Sequence, residues 1–312
     1  MKVIGHEKEK TLIKKYLHKN YDSLSLLYEG KDCIGKKLLA LYTARGFLCE
    51  KKEGFGCGVC NDCKLVNNLI SNVYENTNLT PHPNIMLIQS DNREIKIDQI
   101  REAISFLSLK SSKGKVLIIE KAENLNTESA NALLKTLEEP PSNTLIILTT
   151  SNQNQLLPTI VSRLKKIRFR KLSHQDVVDI LSLKLSDEKK IKELADISDG
   201  SLCIASTLLK KEEIYVWAKD FVGILINKKH PEGIFSIAAK IDKMDIEDVN
   251  LFFDIIFKFY IKHSKDLKDI DSYQKFLNQY RLAITSLRKG VKKKLIIESF
   301  YFRLTQKGAL YE

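Results

Sequence analysis

The stretch EGKDCIGKK, Glu29 to Lys37, carries the outline G-x-x-x-x-G-K of a phosphate-binding loop, with Gly30, Gly35 and Lys36 in its signature positions. Such a loop follows a strand and opens a helix. Its glycines let backbone N–H groups approach phosphate, its lysine reaches the terminal phosphates, and a Ser or Thr after the lysine holds Mg²⁺. The flanks fit this arrangement: SLSLLY from Ser23 reads as the strand, and KKLLALYTARGFLC from Lys36 reads as the helix. Lys37 does not fit. An ammonium has three donors and no acceptor, so it repels the cation that a hydroxyl would hold.

A second part of the same machinery should be an apolar strand ending in acidic residues that hold the metal and orient the attacking water. VLIIEKAE, from Val116, supplies the strand and Glu120, but Lys121 follows where a carboxylate is expected. Glu120 and Glu123 are therefore expected to pair with Lys37 and Lys121, neutralising the site without metal. Each lysine read alone is a solvated surface residue. Both departures fall on the Mg²⁺ side of one site, and this points to a lost ATPase.

Other apolar runs extend the pattern: NIMLIQ from Asn84, KVLIIE from Lys115, TLIILTT from Thr144 and KKIRF from Lys165. Runs that are apolar on both faces predict buried strands of a parallel sheet covered by helices. Between them, DQIREAISFLSL from Asp98 places Ile100, Ala103, Ile104 and Leu107 on one face, with Asp98 as its cap. ESANALLKTLEE from Glu128 presents Ala130, Leu133, Leu134 and Leu137, and Pro140 with Pro141 stops it. After Phe169 the strand signal fades. Ser173 and Asp176 form a capping pair ahead of one helix, DEKKIKELADIS ends at Gly200, and a third helix runs from Ser201 to Lys210. From Glu212 onward the pattern is helical, around Trp217 to Ile226, Val249 to His263 and Tyr273 to Leu287.

Four of the six cysteines crowd between Cys49 and Cys63. The spacing Cys49-x7-Cys57-x2-Cys60-x2-Cys63 gathers three thiolates in a knuckle whose turns Gly54, Gly56 and Gly58 permit. Cys49, at the end of the preceding helix, closes a tetrahedron, so a structural Zn²⁺ with four sulfur ligands is predicted. The rivals are an iron–sulfur cluster, which wants another cysteine just downstream, and unligated buried thiols. Cys33 and Cys203 stand apart, and no secretory signal follows Met1, so metal ligation is favoured over disulfides. The charge of +12, from 51 Lys and Arg against 39 Asp and Glu, suits a polyanionic partner such as DNA, although the lysines are spread along all 312 residues. RKGVKKK from Arg288 is the densest run. The most apolar late segment, LFFDIIFKFYI from Leu251, is broken by Asp254 and Lys258, which argues against a membrane span.

NALLKTLEEPPSNTLIILTT, followed by LLPTIVSRL and taken with the loop, the four cysteines and HPNIMLIQ, resembles the bacterial replicative clamp-loader subunits. These are the AAA+ proteins of the DNA polymerase III holoenzyme, the tau/gamma ATPases and their delta prime relative. The resemblance is specific over residues 1–210. It implies an α/β AAA+ domain over 1–170 with a zinc module inserted at about 49–80, a three-helix lid over 171–211, and an all-α C-terminal collar domain over 212–312. In the family pattern an arginine of a Ser-Arg-Cys motif reaches into the neighbouring subunit's ATP site. Here the motif is Ser162-Arg163-Leu164, with the arginine kept and the cysteine absent. Active relatives also carry a lid arginine in a G-S-x-R pattern, whereas this chain has Gly200-Ser201-Leu202-Cys203. Arg163 acts outward while the parts that act on bound ATP are missing, the asymmetry that the delta prime branch implies.

The resemblance further implies a cytoplasmic hetero-oligomer with tau/gamma and delta, serving the sliding clamp and primed DNA. An active tau/gamma-like ATPase, tolerating Lys37 and Lys121, stays open. So does a zinc-dependent DNA-binding module built on Lys51, Lys52, Lys64 and Phe55.

Overall fold

In the computed structural model the described residues are 3–19, 21–75, 82–89, 94–227, 231–263 and 270–305. The last part of the expected zinc module, 76–80, and residues 228–230, 264–269 and 306–312 of the expected collar lie outside them. The chain divides into two compact units. One comprises 1–191 with 199–203, the other 192–198 with 204–312, so the division passes through the expected lid.

The first unit is built on five strands: β1 (Ser23–Glu29), β2 (Ile85–Ile88), β3 (Lys115–Ile119), β4 (Thr144–Thr150) and β5 (Lys165–Arg168). Each coincides with one of the apolar runs. They form a parallel sheet in the order β2-β3-β4-β1-β5. Every residue of β3 and β4 is buried, which is why these runs show no alternation of apolar and polar residues. The edge strand β5 carries Lys166 and Arg168 on its exposed positions, and such charges discourage further strand pairing.

The helices begin with α1 (Glu7–His18), α2 (Lys36–Leu48), α3 (Asn61–Glu75), α4 (Ile97–Ser108), α5 (Thr127–Glu138) and α6 (Pro158–Val161). The predicted stripes face inward: Ile100, Ala103 and Leu107 of α4 meet Ala130, Leu133 and Leu137 of α5 in one buried cluster, with Ile104 and Leu134 half-buried at its edge. The cap of α4 differs from expectation. The helix starts at Ile97, which places Asp98 inside the first turn, and the Lys96 N–H donates instead to Gln99 Oε1 at 3.0 Å. For α5 the cap is Asn126, whose Oδ1 accepts from Ser129 N at 2.8 Å.

Three short helices follow, α7 (His174–Ser182), α8 (Glu188–Ser198) and α9 (Leu202–Lys210). Ser173 and Asp176 cap α7 reciprocally, Ser173 Oγ accepting from Asp176 N at 3.1 Å and Asp176 Oδ2 accepting from Ser173 N at 3.0 Å. The second unit holds α10 (Glu212–Asn227), α11 (Glu232–Ile241), α12 (Ile246–His263), α13 (Ile270–Arg288) and α14 (Lys293–Thr305). Its core is aromatic: Phe221, Phe252, Phe253, Phe276 and Phe300 are buried, with Phe253 and Phe300 edge to face at 5.3 Å. No helix among the described residues is long and apolar enough to cross a membrane.

Candidate functional site

The sheet brings the loop of residues 30–36, Glu120, Lys121 and Glu123 together at the ends of β1, β3 and β4. Gly30 N donates to Thr150 O at 3.1 Å, which ties the loop to the end of β4. A Cβ on Gly30 would stand 2.6 Å from Phe169 O, so only glycine fits there. Gly35 opens α2 in the left-handed region (φ 99°) with empty space where a Cβ would point. The loop framework is therefore kept.

Its lysines are turned to other uses. Lys36 is buried, and its ammonium donates to Gly30 O and, at 2.6 Å, to Lys31 O, folding back on the loop itself. Burial pushes this ammonium below its ordinary pKa, against the attraction of Asp32, Glu123 and Glu120. Lys37 Nζ lies 2.8 Å from Glu120 Oε2, the pairing expected, and Gln89 Nε2 donates to the same oxygen at 2.8 Å. The second expected pair does not form. Glu123 Oε1 accepts from Ser151 N at 3.0 Å and Ser151 Oγ at 2.7 Å, while Lys121 takes left-handed backbone (φ 52°) and its N–H donates to Thr149 Oγ1 at 3.1 Å. The hydroxyl and amide of Ser151 take the place of the expected lysine. They hold Glu123 below the usual carboxylate range although burial pushes the other way.

Residues 199–203 close over the loop. Leu202 N donates to Cys33 O at 2.9 Å and Ser201 Oγ to Asp32 O at 3.4 Å. Cys203 forms a disulfide with Cys33, their Cα atoms 5.3 Å apart. This overturns the sequence-based preference against disulfides for these two residues. Nothing local announces the pair, because the partners are separated by 170 residues. The one available signal was that both fall in motifs of the family resemblance, Cys33 inside the G-x-x-x-x-G-K stretch and Cys203 in the last position of the G-S-x-R pattern.

Arg163 follows α6, where Pro158 occupies the first helical position. One guanidinium nitrogen donates to Thr159 O at 2.6 Å and another pairs with Glu138 at the end of α5. The arginine side chain keeps 31% of its exposure. Leu164, in the place of the family's cysteine, is buried in the α4 and α5 cluster, so this departure serves packing.

The four clustered cysteines form a separate centre. One sulfur from each of Cys49, Cys57, Cys60 and Cys63 comes within 4.8 Å of all the others. Cys49 and Cys63 are buried, Cys57 and Cys60 half-buried. Gly56 adopts φ 93°, and a Cβ there would stand 2.8 Å from Cys63 Sγ. Gly46 of α2 is equally constrained, since a Cβ would lie 2.2 Å from Gly54 O. Arg45 Nε donates to Phe55 O at 2.7 Å, and Lys113 pairs with the buried Asp62 at 2.6 Å. The Cys57 thiol is held down by the backbone N–H groups of Cys60 and Val59, while burial pushes that of Cys63 up. A soft divalent cation would draw all four to thiolates. The donor set, its compactness and its backbone donors fit a metal ion.

Comparison with known proteins bears on the family and the fold. The family model described as "DNA polymerase III, delta subunit" matches residues 5–173. The chain is 33% identical over 190 residues to DNA polymerase III subunit delta' of Pseudomonas aeruginosa, covering 59% of this chain and 54% of that one. It is 34% identical over 168 residues to subunit delta' of Bacillus subtilis, covering 53% and 47% respectively. The match thus spans about half the length of these relatives. A crystal structure of a DNA polymerase III gamma subunit-related protein from Thermotoga maritima superposes with a TM-score of 0.55 at 17% identity, covering 95% of this chain and 98% of that one. That likeness concerns the fold alone, and the parallel sheet with its helices resembles the AAA+ fold.

Proposed function

We propose that this chain, which belongs to the DNA polymerase III delta-subunit family as a delta prime clamp-loader subunit related to tau and gamma, hydrolyses no ATP itself and lends Arg163 to a neighbouring ATPase subunit. The observation that carries this reading is the Lys37 to Glu120 pair at 2.8 Å. It occupies with fixed charge the position where a working loop holds Mg²⁺, and without the cation the charge developing on the phosphoryl oxygens goes uncompensated. Arg163 sits outside that pair, half-exposed. An arginine supplied in trans stabilises the same developing charge, an effect on the order of 10³ to 10⁵ in rate where it operates in GTPases.

In this proposal the four cysteines hold a structural Zn²⁺ whose filled coordination leaves no place for a reactive water. Residues 171–211 act as the lid and 212–312 as the collar of a cytoplasmic hetero-oligomer with tau/gamma and delta. The assembly acts on the sliding clamp and primed DNA, toward which the net charge of +12 is favourable.

Reconstitution of the loader tests the central claim. With Arg163→Ala, clamp- and DNA-stimulated ATP hydrolysis by the complex falls while assembly is retained, and the isolated chain hydrolyses nothing before or after the change. Unaltered hydrolysis by the complex, or hydrolysis by the isolated chain that Lys36→Ala abolishes, overturns it.

A further inference from the structure

The Cys33 to Cys203 pair lies outside the metal-ligating set and outside the proposed role of Arg163. Both residues belong to the first compact unit. Cys33 is half-buried in left-handed backbone (φ 61°) within the phosphate loop, and Cys203 is exposed at the start of α9. The bond is the covalent member of a set of links. Leu202 N and Ser201 Oγ donate to the carbonyls of Cys33 and Asp32, and Asp199 pairs with Lys171 at 2.6 Å and with Lys31 of the loop at 3.4 Å. Segment 199–203 is thus a strap drawn down on the loop at Lys31, Asp32 and Cys33. Beneath it the Lys36 ammonium is spent on Gly30 O and Lys31 O, although in a phosphate-binding loop the ammonium and the amides point to the anion. The empty space at Gly35 and the glycines at positions 30 and 35 keep the outline of a phosphate cradle, with its lysine turned away.

We propose that Cys33 and Cys203 form a thiol–disulfide modification site that governs whether the loop admits a nucleoside triphosphate. With the bond formed, the strap stays down and Lys36 remains turned inward. With both sulfurs reduced, the polar links from the strap to the loop that remain among the described residues are an exposed ion pair to Lys31 and two hydrogen bonds, so the strap lifts and Lys36 turns to phosphate. The reductant is a dithiol. Its thiolate attacks the exposed Cys203 Sγ, forming a mixed disulfide and releasing the Cys33 thiolate, which takes up a proton. The second thiol of the dithiol gives up its proton and attacks the mixed disulfide, freeing Cys203 as a thiol and leaving the reductant as its own disulfide. Two electrons and two protons pass from the dithiol to the pair. The reverse reaction, with a disulfide of the same class, closes the strap. Disulfides of reducing compartments are characteristically of this reversible kind. Nucleotide held in this way needs no Mg²⁺ and implies no hydrolysis, so the proposal stands whether or not Arg163 acts in trans.

Peptide mapping of the unreduced chain, followed by titration with a fluorescent ATP analogue, tests it. The map shows a crosslink between Cys33 and Cys203 that dithiothreitol removes with a gain of two hydrogens, while zinc content, measured in parallel, reports on the other four cysteines. A strap closed in about nine molecules of ten or more weakens apparent affinity about tenfold or more. The oxidised chain should therefore bind the analogue at least about tenfold more weakly than the reduced chain. Cys203→Ser and, independently, Cys33→Ser should bind like the reduced chain with or without dithiothreitol. Absence of the crosslink overturns the proposal. So does equal affinity in the oxidised, reduced and substituted chains, including no binding in any of them.

Discussion

The Lys37 ammonium, in the first turn of α2, donates to the Glu120 carboxylate at the end of β3 across 2.8 Å, and each side chain keeps 24% of its exposure. Replacing Lys37 by Met leaves Glu120 hydrogen-bonded to Gln89 at 2.8 Å and strands part of a half-buried charge. The expected loss is about 1 kcal/mol, in the range between exposed and buried pairs, read as a lowered denaturant midpoint. Lys37→Thr restores the hydroxyl that Mg²⁺ needs, yet ATP hydrolysis should stay at background because Lys121 still replaces the second carboxylate. Measurable turnover by Lys37→Thr alone would show that Lys121 is tolerated.

Tyr28 of β1 and Thr43 of α2 share a buried hydrogen bond of 2.8 Å behind the loop. Thr43 Oγ1 also donates to Leu39 O at 2.7 Å, so the phenol is the donor between the two hydroxyls. Burial pushes the Tyr28 pKa well up, although the Thr43 bond draws it down. Thr43→Val keeps the shape and removes the acceptor, leaving the phenol unsatisfied at a cost of about 1–3 kcal/mol. Thr43→Ser should lose less than half of that. Equilibrium unfolding of the two variants separates the hydrogen bond from the packing.

The contrast between these pairs and the strap explains what could be read from the sequence. The strands were legible because β3 and β4 are covered on both faces, leaving uninterrupted apolar runs, and α7 was legible because its capping residues are three apart. Lys37 and Glu120 could be matched because each fills a fixed position in a known arrangement. The Cys33 to Cys203 bond had no such spacing, and it depends on how closely the chain can turn. Gly200, at φ 75°, would place a Cβ 2.6 Å from Leu172 O, so only glycine brings residues 199–203 over the loop. The sequence alone puts the cap of α4 at Asp98, one residue inside the helix, because helix ends are blurred by a residue or two, and Gln99 supplies the bond to Lys96. The partner of Glu123 was missed because Ser151 reaches it only through the turn after β4.

Removing metal separates the cysteine centre from the sheet. Treatment with a strong chelator is expected to release stoichiometric Zn²⁺ and lower the thermal midpoint while the strand signal in circular dichroism persists below it. Cys60→Ser should retain less zinc, since one of four sulfurs is gone. Gly46→Ala lies outside the ligand set and should do the same, because its methyl meets Gly54 O at 2.2 Å and displaces the turn that carries Phe55 and Gly56. Overpacking of this kind costs about 1–3 kcal/mol. Metal analysis showing stoichiometric iron, or full zinc retention by Cys60→Ser, contradicts the assignment.

The ionic anchor of the strap has a defined pH window. Lys171, then Lys31, holds the Asp199 carboxyl below its ordinary value against some burial, and Asp199 in turn raises Lys171. A depressed carboxyl contributes stability above its unfolded pKa of about 3.9, and the contribution is lost as pH falls through the lower folded value. A raised lysine contributes below about 10.4, and that contribution is lost as pH climbs through the higher folded value. The anchor is therefore constant from about pH 5 to 9. Asp199→Asn is a clean probe because position 199 has φ 49°, a left-handed conformation that Asn tolerates nearly as well as Asp. The pair is half-exposed, so screening limits the difference between the two proteins to about 0.5 kcal/mol. That difference, read from denaturant midpoints, should be flat across the neutral range and shrink in acid below about pH 4. A difference that grows between pH 5 and 8 would mean that another group, titrating in that range, carries the anchor.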